Sequence, residues 1–452
     1  MDPLVSTLIL ILVALLGARF SFSTEGVPPG PRLVFRTGTH FVFVGFLLGP
    51  QVLGLVSAEA LAQLDPLLAL ALGWVGFLFG LQLDRDSLSR FPPKFFVVAG
   101  LQAVLTFGLC FLLGWILLRT AGQAREVQML LLAGAAATAC TTTPAGIALV
   151  STNFLVRGRV RELLFFIASV DAVVGIVALQ IVYSVYHPAQ LLLGLATVPP
   201  VGWAILGLGL GILCAILFLW LTRARPGSEE LVLLLLGISA LMAGAALQLQ
   251  ISPLFVAVTM GAVLANLHAD RQRVFGVLQK WEKPIYVVLL ILAGALLRFP
   301  TVWLLPLVAF YVVARTVGKV MGSSAALSVI GLRFPVPRRL GLGLLPQGGI
   351  SLAMAVSMVL TYEGLAVMGY AAMELFFAVV VGGVVVSELV GPFFVTHVLR
   401  RAGEISPQVE QALEEGDDRK AKEEAIRHAT TPGESPAPRE GPDGADPEDP
   451  PS

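Results

Sequence analysis

Four ionisable side chains stand inside long apolar runs, where a charge is expensive. Asp171 lies in Ala168-Ser169-Val170-Asp171-Ala172-Val173. It is about nine residues into its run, which at the helical rise is roughly 12 Å deep. A carboxylate at that depth costs about 2.5–3.5 kcal/mol on insertion scales, so it is seldom present without a role. Its oxygens can hold a proton or a hard cation, and it can alternate between the two. The plain alternative is a structural hydrogen-bond or ion-pair partner. Arg315 and Lys319 lie in Val312-Val313-Ala314-Arg315-Thr316-Val317-Gly318-Lys319, four apart on one helix face. Two deep cations need an anion or water, and Asp171 is the natural partner for Lys319. A desolvated ammonium can give up its proton whereas a guanidinium does not. Lys319 is thus the candidate for a proton-linked switch and Arg315 for a structural anchor. The competing reading is snorkelling of both toward headgroups. Glu388, in Ser387-Glu388-Leu389-Val390-Gly391-Pro392, either neutralises Arg315 or forms a second proton site, and pairing is the favoured reading. Lys319, Arg315 and Glu388 make up the expected counter-charge set.

Two apolar runs carry backbone breaks near their centres. One holds Thr141-Thr142-Thr143-Pro144-Ala145-Gly146, the other Leu345-Pro346-Gln347-Gly348-Gly349. Proline removes a donor and clashes with the preceding turn, and paired glycines weaken a helix further. Carbonyls and amides freed inside hydrocarbon need partners, so such breaks persist where they line a polar cavity. Pro144, Pro346, Gln347, Gly348 and Gly349 are the expected broken-helix residues.

The elements that position these residues follow from composition. The chain has 452 residues, 56% hydrophobic and 13% charged. A soluble chain carries about 25% charged residues, so this one cannot cover a soluble surface. About thirteen apolar spans can be marked, at 4–20, 33–54, 64–83, 95–119, 127–152, 163–186, 200–222, 230–249, 252–268, 284–299, 301–330, 340–361 and 368–399. Leu4–Leu16 has no basic residue before it and is followed by Arg19. It reads as an uncleaved first span with its N-terminus outside. Alternate loops then carry nearly all the arginine and lysine: Arg85, Arg90, Lys94; Arg157, Arg159, Arg161; Arg271, Arg273; Arg338, Arg339; Arg400, Arg401. The other loops carry Arg119, Arg125 and Arg298. This asymmetry puts the C-terminus in the cytoplasm. The two breaks fall seven spans apart and so cross in opposite directions. The fold expected is an all-α membrane protein of two inverted repeats with two broken crossing helices. Gln82, His40 and Asn266 are expected to make interhelical hydrogen bonds, and Glu374 to sit near the outer surface.

Other classes are disfavoured. Net charge is zero, so nothing draws nucleic acid. Cys110, Cys140 and Cys214 lie in apolar runs without metal or disulfide spacing. No GxxxxGK[ST] loop is present. No catalytic constellation or cofactor is expected. Residues 1–402 read as one transmembrane domain. Residues 403–452 read as an acidic, Pro- and Gly-rich cytoplasmic tail, largely disordered apart from a short helix near Pro407–Glu415.

Taken together these runs resemble the cation:proton antiporter superfamily, especially its bacterial monovalent cation:proton antiporter branch, over about residues 30–400. Gly45 to Pro50 with Val52-Leu53-Gly54 resembles its GxxxGPxxLG run, and Gly73 to Asp84 its LFxxGLExD run. Thr142-Thr143-Pro144 resembles the Thr-Asp-Pro of the first broken helix, and Val170-Asp171 the acidic ion site. Gly318-Lys319 resembles the basic helix, and Leu345 to Leu352 the second broken helix. The resemblance implies a homodimer in a bacterial inner membrane, a six-helix ion-translocating core and elevator-like alternating access. It makes Asp171 the transient site for a monovalent cation and the proton, Lys319 its counter-charge and Thr143 an ion ligand. With Thr142 and Ser169 beside them, Asp171, Thr142, Thr143 and Ser169 form the candidate ion and proton site. The sequence departs from the pattern at Gln82, Thr143, Val170, Gln347 and Gly349, where charged or polar residues are usual. One remaining carboxylate suits one-for-one exchange of Na+ or K+ for protons. The alternatives are a passive ion pathway and a transport-inactive sensor of the same fold.

Overall fold

The computed structural model describes residues 38–119, 125–187, 198–224, 226–268, 270–299, 301–332, 334–362 and 370–414, with Val5, Leu8, Leu12, Val13, Leu15 and Leu16. Most of the expected first span and the tail beyond Glu414 lie outside the described residues. In chain order the helices are α1 (His40–Leu48), α2 (Ala58–Gln63), α3 (Asp65–Gly80), α4 (Arg85–Leu88), α5 (Pro93–Leu118), α6 (Arg125–Cys140), α7 (Pro144–Asn153) and α8 (Arg159–Val185). They continue as α9 (Pro200–Leu221), α10 (Ser228–Gln248), α11 (Pro253–Leu267), α12 (Arg271–Leu296) and α13 (Leu304–Ile330). A 3-10 turn (Leu340–Leu344) precedes α14 (Gly348–Tyr362), α15 (Tyr370–Arg401) and α16 (Pro407–Glu414). No β-strand occurs among the described residues.

Local chemistry accounts for many boundaries. Pro93, Pro144, Pro200 and Pro253 occupy the first turn of their helices, where the missing N–H costs nothing. Ser57, Asp84, Thr143 and Ser252 cap amino ends with side-chain oxygens. Gly49 ends α1 with extended backbone because it precedes Pro50. That shortens the expected 33–54 span. The expected 284–299 span grows in the other direction, since α12 starts at Arg271 and runs through Pro284. Hydropathy alone marked only the apolar half of this helix, whose first half is basic.

Among the described residues seven helical segments, α6 and α7 counted as one, are long and apolar enough to cross a membrane. The helices α3, α11 and α14 are shorter and apolar. These residues do not establish the full count of thirteen. Much of the outward surface of α5, α9 and α13 is apolar, with Val104, Ile205, Leu213 and Val313 each at least 60% exposed. Hydrocarbon is the solvent that suits such a surface, and the chain is an integral membrane protein.

The helices pack in two groups. In one, α5, α6–α7, α8, α13, the 3-10 turn with α14, and α15 contact one another, making six spans. In the other, α3, α9, α10, α11 and α12 pack around Trp74, Phe77, Phe218 and Met242, and α1 packs on α12. Within the second group α1 and α12 approach at glycines. A Cβ on Gly45 would lie 1.9 Å from the Ile291 carbonyl oxygen, and one on Gly294 would lie 2.1 Å from that of Val42. This explains the glycine of the GxxxGP run.

Polar contacts join the basic loops at one end of the bundle. Arg271 pairs with Asp84 at 3.0 Å, and Asn266 accepts from the Arg85 amide while donating to the Leu83 carbonyl. Lys94 donates to the carbonyls of Ile330 and Gly331. The Glu404 carboxylate accepts from the Val160 and Arg161 amides at 2.7 and 2.9 Å, capping the amino end of α8. Arg298 pairs with Glu374 at 2.8 Å at the opposite end. The loops therefore share ends as their charges require.

Two predictions follow from these contacts. Gly45→Leu forces α1 and α12 apart and should lower the melting temperature of the purified protein in thermal unfolding. Burial raises the Asp84 carboxyl, but hydrogen bonds from Ser87 and the Arg271 ion pair outweigh it and leave it below the usual carboxylate value. Its stabilisation is then complete above about pH 4 and lost as pH falls through the lowered value. The stability gap between wild type and Asp84→Asn should be present at pH 7 and close at acid pH.

Candidate ion-binding site at the helix crossing

The two interrupted spans meet at their breaks. The Thr143 amide donates to the Pro346 carbonyl at 3.0 Å, a bond between the two extended stretches. Each break leaves a carboxyl end and an amino end facing the crossing, and each end exposes backbone groups without helical partners. The carboxyl ends carry partial negative charge and the amino ends partial positive charge.

Basic side chains of α13 satisfy the carboxyl ends. Arg315 donates to the Leu345 carbonyl at 2.7 Å, the Thr141 carbonyl at 2.7 Å and the Leu344 carbonyl at 3.2 Å. One planar guanidinium thus ties both interrupted chains together. Lys319, one turn on, donates to the Cys140 carbonyl and to Asp171 Oδ2, the latter at 2.6 Å. Both cations are buried, which excludes snorkelling. They reach this depth because α13 passes close to α5 at Gly318 and Gly322. A Cβ on Gly322 would lie 2.9 Å from the Gln102 carbonyl oxygen.

Asp171 is fully buried on α8 and accepts from three side chains. Gln102 donates to Oδ1 at 2.5 Å, and Thr142 and Lys319 donate to Oδ2 at 2.8 and 2.6 Å. Every donor comes from a different element: α5, the first break and α13. The carboxylate lies against the interruption rather than in remote packing. A second polar set adjoins it. Gln347 donates to the Thr138 carbonyl at 3.0 Å and to the Tyr311 hydroxyl at 2.7 Å. Thr141 hydrogen-bonds Ser351 across the crossing.

Four sequence expectations need correction. Glu388 does not pair with Arg315: among the described residues no ion pair joins them. Arg315 is already occupied by three carbonyls, whereas Glu388 faces the amides of Gln347 and Gly348. Thr143 does not touch Asp171; its hydroxyl accepts from the Ala145 amide as a helix cap. Thr142 is the residue in contact. Ser169 also turns away, donating to the Phe165 carbonyl one turn back on its own helix. The second interrupted span begins with a 3-10 turn, not an α-helix. Sequence reasoning missed Gln102 and Tyr311. A glutamine inside the apolar Val97–Leu118 run was the available signal for the first. Nothing in its neighbours singled out the second.

A cavity of about 790 Å³ opens between the two helix groups. Trp74, Gln82, Glu282 and Tyr286 line it on one side; Thr143, Gly348 and Glu388 line it on the other. Among the described residues Lys283 is the one basic residue in its lining, and the cavity reaches the amino ends of α7 and α14. A mostly apolar hollow of about 420 Å³ lies in the six-span group, bounded by Cys110, Gln128, Tyr311 and Phe376.

An all-helical membrane bundle with two interrupted spans crossing at a buried Asp–Lys pair is the architecture of an ion-coupled secondary transporter. The chain matches the family model described as sodium/hydrogen exchanger, transmembrane, over residues 8–401, and it belongs to that family. Its fold is similar to that of the sodium proton antiporter MjNhaP1 from Methanocaldococcus jannaschii. The structure of that protein at pH 8 aligns with a TM-score of 0.64 at 15% identity, covering 89% of this chain and 100% of the other. An electron-microscopy structure of it aligns with a TM-score of 0.59 at 16% identity, covering 90% and 100%. A search of curated protein sequences found no match.

Removing the anchor tests the crossing. Arg315→Met strips the donor from the Leu345 and Thr141 carbonyls, each costing about 1–3 kcal/mol when unpaired, while the Leu344 carbonyl keeps the Thr142 hydroxyl within reach. Thermal unfolding in detergent should show a large loss of stability. Arg315→Lys should recover only part of it, because one ammonium lacks the planar fork that spans both chains.

Proposed function

We propose that this protein exchanges a monovalent cation, Na+ or K+, for protons, one for one, by alternating access at Asp171. The observation that carries the reading is the coordination of Asp171. A fully buried carboxylate at the crossing holds one cationic partner, Lys319, and two neutral donors, Gln102 and Thr142. A single negative charge can be balanced by one positive charge at a time. An incoming alkali ion competes with the Lys319 ammonium for the same oxygens. As the ion binds, Lys319 loses its hold on the carboxylate and its proton leaves; the reverse step reloads it. The exchange then moves one charge each way.

In this reading the two helix groups move against each other and carry the site between two openings, with the 790 Å³ cavity the open approach in the present state. The positive-inside asymmetry of the loops supports a cytoplasmic face for that cavity. The protein acts as a homodimer in a bacterial inner membrane, with residues 1–402 as its transmembrane domain and its C-terminus in the cytoplasm.

Proteoliposomes carrying a preset pH gradient test this. Adding Na+, K+ or Li+ should dissipate the gradient in wild type, and Asp171→Asn should abolish the response. Full activity in Asp171→Asn, or no response of wild type to any of the three ions, overturns the reading.

A further inference from the structure

Two carboxylates line the cavity, Glu282 and Glu388, and Asp171 is not one of them. Asp171 has no exposed surface and is not part of the cavity wall. Glu388, on α15, is part of that wall. It is 6% exposed, and its Oε1 atom has no hydrogen-bond partner. Its carboxyl group faces the backbone amides of Gln347 and Gly348 at the amino end of α14. Those amides and the helix dipole favour a negative charge there.

The Glu388 side chain also borders a second space. A hollow of about 10 Å³ is lined by Glu388, Gly348, Tyr286 and Thr39 together with aliphatic side chains of α1, α12, α14 and α15. That is about the smallest volume that holds one water-sized particle. The geometry of the floor is tightly fixed. Gly348 has φ +59°, and a Cβ there would lie 2.7 Å from the Thr143 hydroxyl oxygen. A Cβ on Gly349 would lie 2.2 Å from the Tyr286 ring. The two glycines therefore let the amino end of α14 pack directly against Thr143 and the Tyr286 ring, in the cavity wall that also holds Glu388.

An orphaned buried acid oxygen is costly unless something occupies it. A proton or a small cation would satisfy it. We propose that Glu388 is a second ion site of the exchanger, taking a monovalent cation or a proton from the cavity separately from Asp171. The proposal deepens the exchange reading and rests on it, but its labelling test does not depend on flux. Occupancy at Glu388 concentrates the cation at the end of the cavity, one barrier short of the crossing. The Pro346 ring packs against α15 at Gly391, one turn from Glu388. The site thus adjoins the second break directly.

The test uses wild-type protein in detergent and dicyclohexylcarbodiimide, an apolar reagent that adds to protonated carboxyl groups in apolar surroundings. Peptide mapping by mass spectrometry locates the adduct. Glu388 should be labelled, labelling should rise as pH falls, and NaCl or KCl should suppress it relative to choline chloride at equal ionic strength. The same protection should persist in Asp171→Asn. No adduct at Glu388, or an adduct indifferent to Na+ and K+, overturns the proposal. In proteoliposomes Glu388→Gln should raise the apparent KM for the cation about tenfold, the loss of one charge-assisted contact, with a smaller change in kcat. Glu388→Asp should restore much of it. Equal KM in wild type and Glu388→Gln also overturns the proposal. If wild type transports no cation but Na+ or K+ protects Glu388, the exchange reading fails and the site stands.

Discussion

Hydrocarbon offers no hydrogen bonds, and the rest of this structure follows from that fact. Two spans give up their helical ladder at Thr141–Thr143 and Leu345–Gln347, freeing backbone groups that water cannot reach. The carbonyls are answered by Arg315 and Lys319 and the Thr143 amide by a chain-to-chain bond, while the Glu388 carboxyl group faces the amides of Gln347 and Gly348. Both carboxyl ends meet cations and the amino end of α14 faces an acid, each opposite to its own dipole, while the amino end of α7 is capped by the Thr143 hydroxyl. Lys319 brings a second requirement, because an ammonium at that depth must itself be balanced. Asp171 meets it. The proposed ion site is therefore a by-product of solving the backbone problem, built from the same side chains that hold the crossing together.

The arrangement separates stability from binding. Arg315 is committed to three carbonyls and has no acid partner within ion-pair distance among the described residues. Lys319 divides its donors between a carbonyl and Asp171. Displacing Lys319 from Asp171 leaves its hold on the first break available. The crossing can thus survive an exchange of ligands at the acid. Cavity and acid are kept apart in this state, since Thr143, Gly348 and Glu388 form the cavity wall while Asp171 lies behind the break.

Much of this was legible in the sequence, and the limits are physical. Long apolar runs with proline and glycine breaks identified the interrupted spans, because backbone chemistry is local. Asp171 and Lys319 were legible because a charge in hydrocarbon demands a partner and few candidates exist. Side-chain direction was not legible. Thr142 and Thr143 are neighbours, and only the turn between Cys140 and Pro144 decides which hydroxyl meets the acid. Ser169 looked equally placed, yet its own helix offers a carbonyl one turn away. Gln102 escaped notice because amides are common in membrane helices; its role depends on α13 coming close enough at Gly322. Glu388 was matched to Arg315 by charge alone, when the carbonyls of the break had already claimed the guanidinium.

The Glu404 cap has a mechanical consequence. Glu404 follows α15 by three residues and grips the amino end of α8 through two amides. The helix bearing Asp171 and the helix bearing Glu388 are therefore buckled together at the loop end. Sliding of the six-span group cannot stretch one relative to the other without undoing this clasp. The loop ends of these two helices are tied, so in the proposed alternating access they would move as a pair.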